Sequence, residues 1–364
     1  MKKHITQFTI HAYKGINDLT LPDLNCINVL TGDNNSGKTS VLELLSTIEA
    51  PQNTNSWILC SRAQTSRARK GIYFNGFYNM FPIDSDNSVI SYSFTDKNST
   101  TQTVILTADM EELQMSEQEM HQVNGLRSVE PVEKEESLTN VICMHLKTFI
   151  NDTKVNEDAI YDFQYRLPKT ARKSTYFTKT VYVSPVDHAN GSLNINQLLS
   201  DSELYEKSIE IFKAFDENIT SINAIEKDDF PFSTEYMVLT KNHRKALPLN
   251  AYGDGIKKAL LLLNAVVYVE NGILLLDEFE TAIHTSAMNS VFSWLLKSAL
   301  NLNTQVFLTS HSKEAIDTLL QCDENLQPYI NLYTLYKANN KNYVRTMSAK
   351  EALHAQKNLG LELR

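Results

Sequence analysis

Gly32-Asp33-Asn34-Asn35-Ser36-Gly37-Lys38-Thr39 follows the pattern G-x-x-x-x-G-K-[ST], that of a phosphate-cradling loop. Its flanks suit it. Ile27-Asn28-Val29-Leu30 precedes it as a short β-branched run that reads as a strand, and Ser40-Val41-Leu42-Glu43-Leu44-Leu45 follows with apolar residues at helical spacing. Strand, Gly-rich loop and helix are the context in which this motif works. Gly32 and Gly37 allow backbone angles closed to other residues. The N–H groups of Asn34, Asn35, Ser36 and Gly37, with the helix N-terminus behind them, are expected to face phosphates. Lys38 reaches toward the β- and γ-phosphates of ATP. Thr39 offers a hydroxyl to Mg²⁺, and Ser40 adds one near the α-phosphate. The alternative is an ordinary Gly turn before a helix.

A second element lies far downstream, at Gly272-Ile273-Leu274-Leu275-Leu276-Asp277-Glu278. Four apolar residues between a Gly and an acidic pair read as a buried parallel strand. In α/β sheets ligands sit at the carboxyl edge, where Asp277 is expected to hold Mg²⁺ and Glu278 to take a proton from the attacking water. Gln305-Val306-Phe307-Leu308-Thr309-Ser310-His311-Ser312 reads as a third strand with His311 just past its end, able to bond a γ-phosphate or the water. A lone His after a strand is more often structural, so its reading depends on the chain order of loop, acidic strand and His strand. Ala251-Tyr252-Gly253-Asp254-Gly255-Ile256-Lys257-Lys258 opens a strongly apolar helix about twenty residues before Asp277. Gly253, Gly255 and Lys257 there are candidates to meet the nucleotide of a second subunit. The bland reading is a turn and helix cap.

Together these segments resemble the overcoming-lysogenisation-defect ATPases and their stand-alone relatives, the AAA15 and AAA21 ATPases. The resemblance rests on Tyr13-Lys14-Gly15-Ile16, the Gly-rich loop, Tyr78-Asn79-Met80-Phe81, Tyr252-Gly253-Asp254-Gly255, Asp277-Glu278-Phe279-Glu280 with His284, and Thr309-Ser310-His311-Ser312. It implies an α/β, ABC/SMC-type P-loop ATPase head with mixed sheets and an inserted, partly helical region. It also implies a head that dimerises around ATP. Many relatives belong to bacterial anti-phage systems and work with a nuclease. The signature segment lacks the Ser of transporters, which disfavours transport. The roughly fifty residues after His311 hold no Glu-Gly turn or Asp-x-Asp strand of a Toprim nuclease, so an effector nuclease is expected as a separate subunit. A phage protein is a candidate trigger. A RecF-like DNA-clamping repair ATPase is the alternative.

The chain has 364 residues, 42% of them hydrophobic, enough for one large head. Cys26, Cys60, Cys143 and Cys322 are scattered, without metal-ligand spacing in sequence or a disulfide framework. Met1-Lys2-Lys3-His4 leads into no apolar segment of the signal-peptide kind, and Ala259–Val269 is too short to span a bilayer; the expected place is the cytoplasm, away from membranes. A net charge of −9 argues against a DNA-coating surface. It leaves local basic groups as DNA candidates: Arg62, Arg67, Arg69 and Lys70; Lys169, Arg172, Lys173 and Lys179; Lys241, His243, Arg244 and Lys245.

The expected organisation is an N-terminal part of the head over 1–108, a partly helical insertion over 109–175, a C-terminal part over 176–340, and a tail over 341–364. Within it, Val89–Phe94 and Thr103–Thr107 read as a hairpin, 109–136 as an acidic solvated helix or connection, and 138–150 as a helix. Helices are expected near 194–200 and 202–216, and a strand over 234–240. The middle is too short for a long antiparallel coiled coil and lacks sustained heptads.

Overall fold

The structure, a computed structural model, describes residues 3–63, 70–81, 88–125, 138–167, 175–188, 199–213, 215–226, 234–339 and 341–359. Its centre is a six-stranded sheet in the order β15-β14-β3-β13-β12-β8. These strands are β3 (Ile27–Gly32), β8 (Thr180–Val183), β12 (Ile273–Leu276), β13 (Gln305–Thr309), β14 (Ile330–Ala338) and β15 (Lys341–Ser348). All neighbours run parallel except β14 and β15. β3, β12 and β13 are buried at every position, as strands covered on both faces must be. Val29, Leu274, Leu276, Val306 and Leu308 face one core with the helices Asp254–Tyr268, Thr285–Asn301 and Lys313–Gln321. Leu30, Ile273, Leu275 and Phe307 face a second core with helix α1 (Lys38–Leu45).

That second core is roofed by an antiparallel sheet in the order β2-β1-β4-β5-β6-β7. Its strands are β1 (Ile5–Tyr13), β2 (Ile16–Leu21), β4 (Val89–Asp96), β5 (Thr101–Met115), β6 (Thr139–Ile150) and β7 (Thr153–Tyr161). The hairpin expected at 89–107 is β4–β5, with Asp96 accepting the turn N–H groups of Asn98 and Thr100. A small third sheet holds β9 (Ile219–Glu226), β10 (Thr234–Thr240) and β11 (Leu247–Pro248). β10 and the helix Ser202–Phe212 answer to the strand and helix expected there; most of 194–200 lies outside the described residues.

Three expectations need correcting. Residues 138–150 form strand β6, not a helix. Met144, Leu146, Thr148 and Ile150 alternate into the core, and β5 pairs with the strand from Val104–Ile150 to Met115–Thr139. Mixed Met, Leu and Lys usage suited a helix locally, but pairing with β5 supplies the backbone partners and wins. The boundary at 108 falls inside continuous β5, so residues 109–115, Thr139–Ile150 and Thr153–Tyr161 extend the N-terminal sheet instead of forming a separate insertion. The described helix between β5 and β6 is the short Glu117–Val123, opened by a Ser116–Glu119 capping box. Residues 341–359 are not a tail: β15 pairs with β14 along its length, and the helix Ala349–Leu359 follows. No helix among the described residues is long and apolar enough to cross a membrane.

Candidate functional site

The carboxyl ends of β3, β13, β12 and β8 lie side by side, and the segments that follow β3, β12 and β13 line one cleft. Gly32 ends β3 at φ +132°, and a Cβ there would lie 2.1 Å from the Leu335 carbonyl oxygen on β14. Gly37, at φ +104°, opens α1; a Cβ would meet Ile16 Cδ1 at 2.7 Å. No side chain caps α1, so its first N–H groups stay open to an anion. Lys38 is only 4% exposed. Its Nζ donates to the carbonyls of Gly32 at 2.7 Å and Asp33 at 2.9 Å, folding the side chain back over the loop. Burial lowers the Lys38 pKa, and Asp277, Asp33 and Glu278 oppose that shift.

Asp277 is buried at the end of β12. It accepts hydrogen bonds from Thr39 Oγ1 at 3.2 Å, Tyr182 OH at 2.9 Å and Thr309 Oγ1. The Thr309 hydroxyl also accepts from the Glu278 N–H at 2.8 Å. One β13 hydroxyl thus pins both acidic residues beside the loop. Burial first, then Asp277, pushes the Tyr182 phenol well up, which keeps it a neutral donor. Glu278 sits at φ +42°, in the left-handed region that a non-glycine residue occupies only when its surroundings enforce it. Its carboxylate has one long contact, from Thr281 Oγ1 at 3.4 Å, and faces a cleft of about 660 Å³. Residues 34–40, His311, Lys14 and Arg62 share that lining. Glu280 Oε1 holds the His311 loop, accepting from Ser310 Oγ at 2.8 Å and from the N–H groups of His311 and Ser312 at 3.3 Å.

The fold therefore gathers Lys38, Thr39, Glu278 and His311 into this cleft, with Asp277 buried against it through Thr39, but not Gly253, Gly255 or Lys257. Gly253 caps the helix Asp254–Tyr268 without a side-chain cap. Gly255 has the Ala282 carbonyl 3.0 Å from where a Cβ would stand. Lys257 pairs with Asp254 of its own helix at 2.6 Å. Its neighbour Lys258 is fully buried and reaches the Ser184 carbonyl at 3.4 Å, with its pKa lowered by burial. His284 caps the helix Thr285–Asn301, its Nδ1 accepting from the Ser286 N–H.

Sequence reading gave no role to Glu43, Tyr182, Thr309 or Lys14. Glu43, 2% exposed, accepts from Tyr13 OH at 2.7 Å, Lys14 Nζ at 2.9 Å and Arg62 Nε. It sits in the apolar face of α1, and a charged residue in such a run is the signal that could have flagged it. Arg62, considered as a DNA contact, is committed to this carboxylate. Lys179 donates to the Tyr268 carbonyl at 2.6 Å. Arg67, Arg69, Lys169, Arg172 and Lys173 lie outside the described residues.

Residues fit for a nucleotide and its metal are thus assembled: a loop cradle that Cβ atoms would fill, a buried ammonium, and a hydroxyl–carboxylate pair. Residues 182–317 match a family model described as "AAA domain, putative AbiEii toxin, Type IV TA system". The chain is 22% identical over 352 residues to a Helicobacter pylori "ATP/GTP phosphatase", covering 87% of this chain and 88% of that one. The chain is a P-loop ATPase. An uncharacterised Methanocaldococcus jannaschii protein is 44% identical over 69 residues, 19% of this chain and 60% of its own length. Among solved structures, an SMC head bound to the C-winged helix domain of ScpA aligns with a TM-score of 0.50 at 11% identity, covering 96% of this chain and 99% of that one. That likeness speaks to the fold, an ABC/SMC-type head.

Proposed function

We propose that this chain is a cytoplasmic regulatory ATPase of a bacterial anti-phage system, whose heads dimerise around ATP and control a separate effector, most simply a nuclease. The observation that carries the ATPase chemistry is the convergence of Lys38, Thr39, Glu278 and His311 on one cleft, with Asp277 bonded to Thr39 at its edge. In this reading Lys38 leaves its carbonyl partners to meet the β/γ-phosphates, and Thr39 and Asp277 would hold Mg²⁺. When bound, that ion supplies positive charge to the phosphate oxygens. Glu278 takes the proton of the attacking water, and His311, posed by Glu280, bonds the water or the terminal phosphate.

The Gly253–Lys257 segment is a helix start without a side-chain cap, a feature suited to an anion such as the nucleotide phosphate of a second head. A second head turned by a two-fold axis brings the two together. For Lys257 to contribute, it must leave Asp254. The defence role is supported by the match to an AbiEii-type toxin–antitoxin AAA family and by the resemblance of the motifs. A phage protein as trigger, and DNA as a further ligand, belong to the same reading.

The test is the mass of the purified protein with and without ATP, together with what co-purifies from its native operon. The expected result is an even-numbered assembly that carries a second gene product. ATP drives head pairing in the wild type, and Lys38→Ala abolishes both pairing and turnover. A lone monomer that hydrolyses ATP at full rate would sink the shared site and the effector model together.

A further inference from the structure

Away from the ATPase cleft, three side chains with metal-ligand chemistry converge on the β5–β6 ladder. Glu111 and Cys143 are direct cross-strand partners, and His145 lies two residues further along β6, hence on the same face. The core side of these strands carries Met144 and Leu146, so this is the opposite face. Nε2 of His145 stands 3.5 Å from Cys143 Sγ and 2.8 Å from Glu111 Oε1. All three ligand atoms lie within 4.8 Å of one another.

We propose that Glu111, Cys143 and His145 form a site for a zinc-like divalent transition metal, with water in a fourth position. Distances argue for it. Tetrahedral zinc, with bonds of about 2.3 Å to sulfur and about 2.05 Å to nitrogen, sets those two atoms roughly 3.5 Å apart. The observed thiol–imidazole separation already has that value. The same geometry sets nitrogen and carboxylate oxygen roughly 3.4 Å apart. Glu111 must therefore withdraw by about half an ångström from its present hydrogen bond. It is free to do so, with 51% of its side chain in solvent.

The donor set selects the metal class. A thiolate and an imidazole favour zinc and its soft neighbours, and disfavour magnesium and calcium, which take oxygen ligands. Tyr161 on β7 is the direct cross-strand partner of Cys143 on the side away from β5, placed to support the ligand from the next strand. Bound metal would exchange places with the Cys143 proton and with any proton on Nε2, releasing them to water. Its structural effect follows from topology. It would clamp β5 to β6 where both strands run toward residues 116–138, adding a cross-link on the face that the core does not hold.

The intact protein, stripped by a chelator and titrated with cobalt(II), provides the test. One equivalent should bind with a thiolate-to-cobalt charge-transfer band, and zinc should displace it. Cys143→Ser should lose the band, which also excludes Cys26, Cys60 and Cys322 as its source. His145→Ala should weaken binding by at least about a hundredfold, since even groups behind the ligands matter by about 10–100-fold. Glu111→Gln, at an exposed position where folding is safe, should weaken binding while ATP turnover stays unchanged. A wild type without the band, a band that survives in Cys143→Ser, or unchanged affinity in folded Glu111→Gln would each overturn the site.

Discussion

Replacing Glu43 by Ala should unsettle both the fold and the mouth of the nucleotide cleft. Its carboxylate is 2% exposed and accepts from Tyr13, Lys14 and Arg62. The three donors are not equal. Arg62 is 59% exposed and can turn to water, so its share is small. Tyr13 is fully buried and keeps only a 3.3 Å contact with the Cys60 carbonyl. Lys14, 20% exposed, would be left as a poorly solvated cation. Removing one partner of a buried pair costs about 3–5 kcal/mol, and Lys14's residual exposure points to the lower end, about 3 kcal/mol. On a chain of this size that lowers the melting midpoint by about 4 °C.

Burial already lowers the Lys14 pKa and Glu43 opposes it, so the mutant Lys14 sheds its proton more readily. A lysine with a lowered folded pKa means that the unfolded chain binds more protons. Stability then rises with pH between the folded value and the ordinary 10.5, and the mutant's deficit is largest near neutrality. Urea melts across pH 7–10 and nucleotide titrations read both effects. Binding should weaken about tenfold, the scale of one charged hydrogen bond, because Lys14 and Arg62 line the cleft. Glu43→Gln, which keeps the shape and an acceptor for Tyr13, should be milder. A Glu43→Ala protein within about 0.5 kcal/mol of wild type, with unchanged nucleotide affinity, would refute the reasoning.

Glu278→Gln preserves volume and the N–H bond to Thr309, so nucleotide should still bind while hydrolysis slows by at least about a hundredfold; single-turnover phosphate release decides, and lost binding would make Glu278 a direct metal ligand or structural. Gly32→Ala puts a methyl 2.1 Å from the Leu335 carbonyl oxygen at φ +132°, so β3 and β14 must part; a melting midpoint equal to wild type would contradict that packing. The Cys60 thiol, fully buried and pushed up to about 12 by burial and then Glu43, stays protonated in the fold after the unfolded thiol has ionised near 9.0. Its stabilising share is whole below pH 9 and lost toward 12, at about 1.4 kcal/mol per pH unit. Cys60→Ala should flatten the alkaline slope by that amount in urea melts at stepped pH, and an unchanged slope counts against it.

Local sequence carried the parts of this protein whose chemistry is local. Gly32–Thr39 needs only its own glycines and the following helix to be recognised, and the apolar runs before Asp277 and His311 announce buried parallel strands by composition alone. The hairpin at Asp96 is equally local, since its turn bonds close within four residues. Other features depend on which segments meet. Residues 138–150 carry an ambiguous pattern, and pairing with β5, 34 residues away at Glu111–His145, and with β7 on the other side makes them a strand. β15 became part of the central sheet because β14 offers its edge. Thr309 pins Asp277 and Glu278 only because β13 lies next to β12, and Glu43 is a hub only because Tyr13, Lys14 and Arg62 converge on α1. Pairing and burial set the energy of such contacts, and both are properties of the assembled chain, where distant residues share one low-dielectric space.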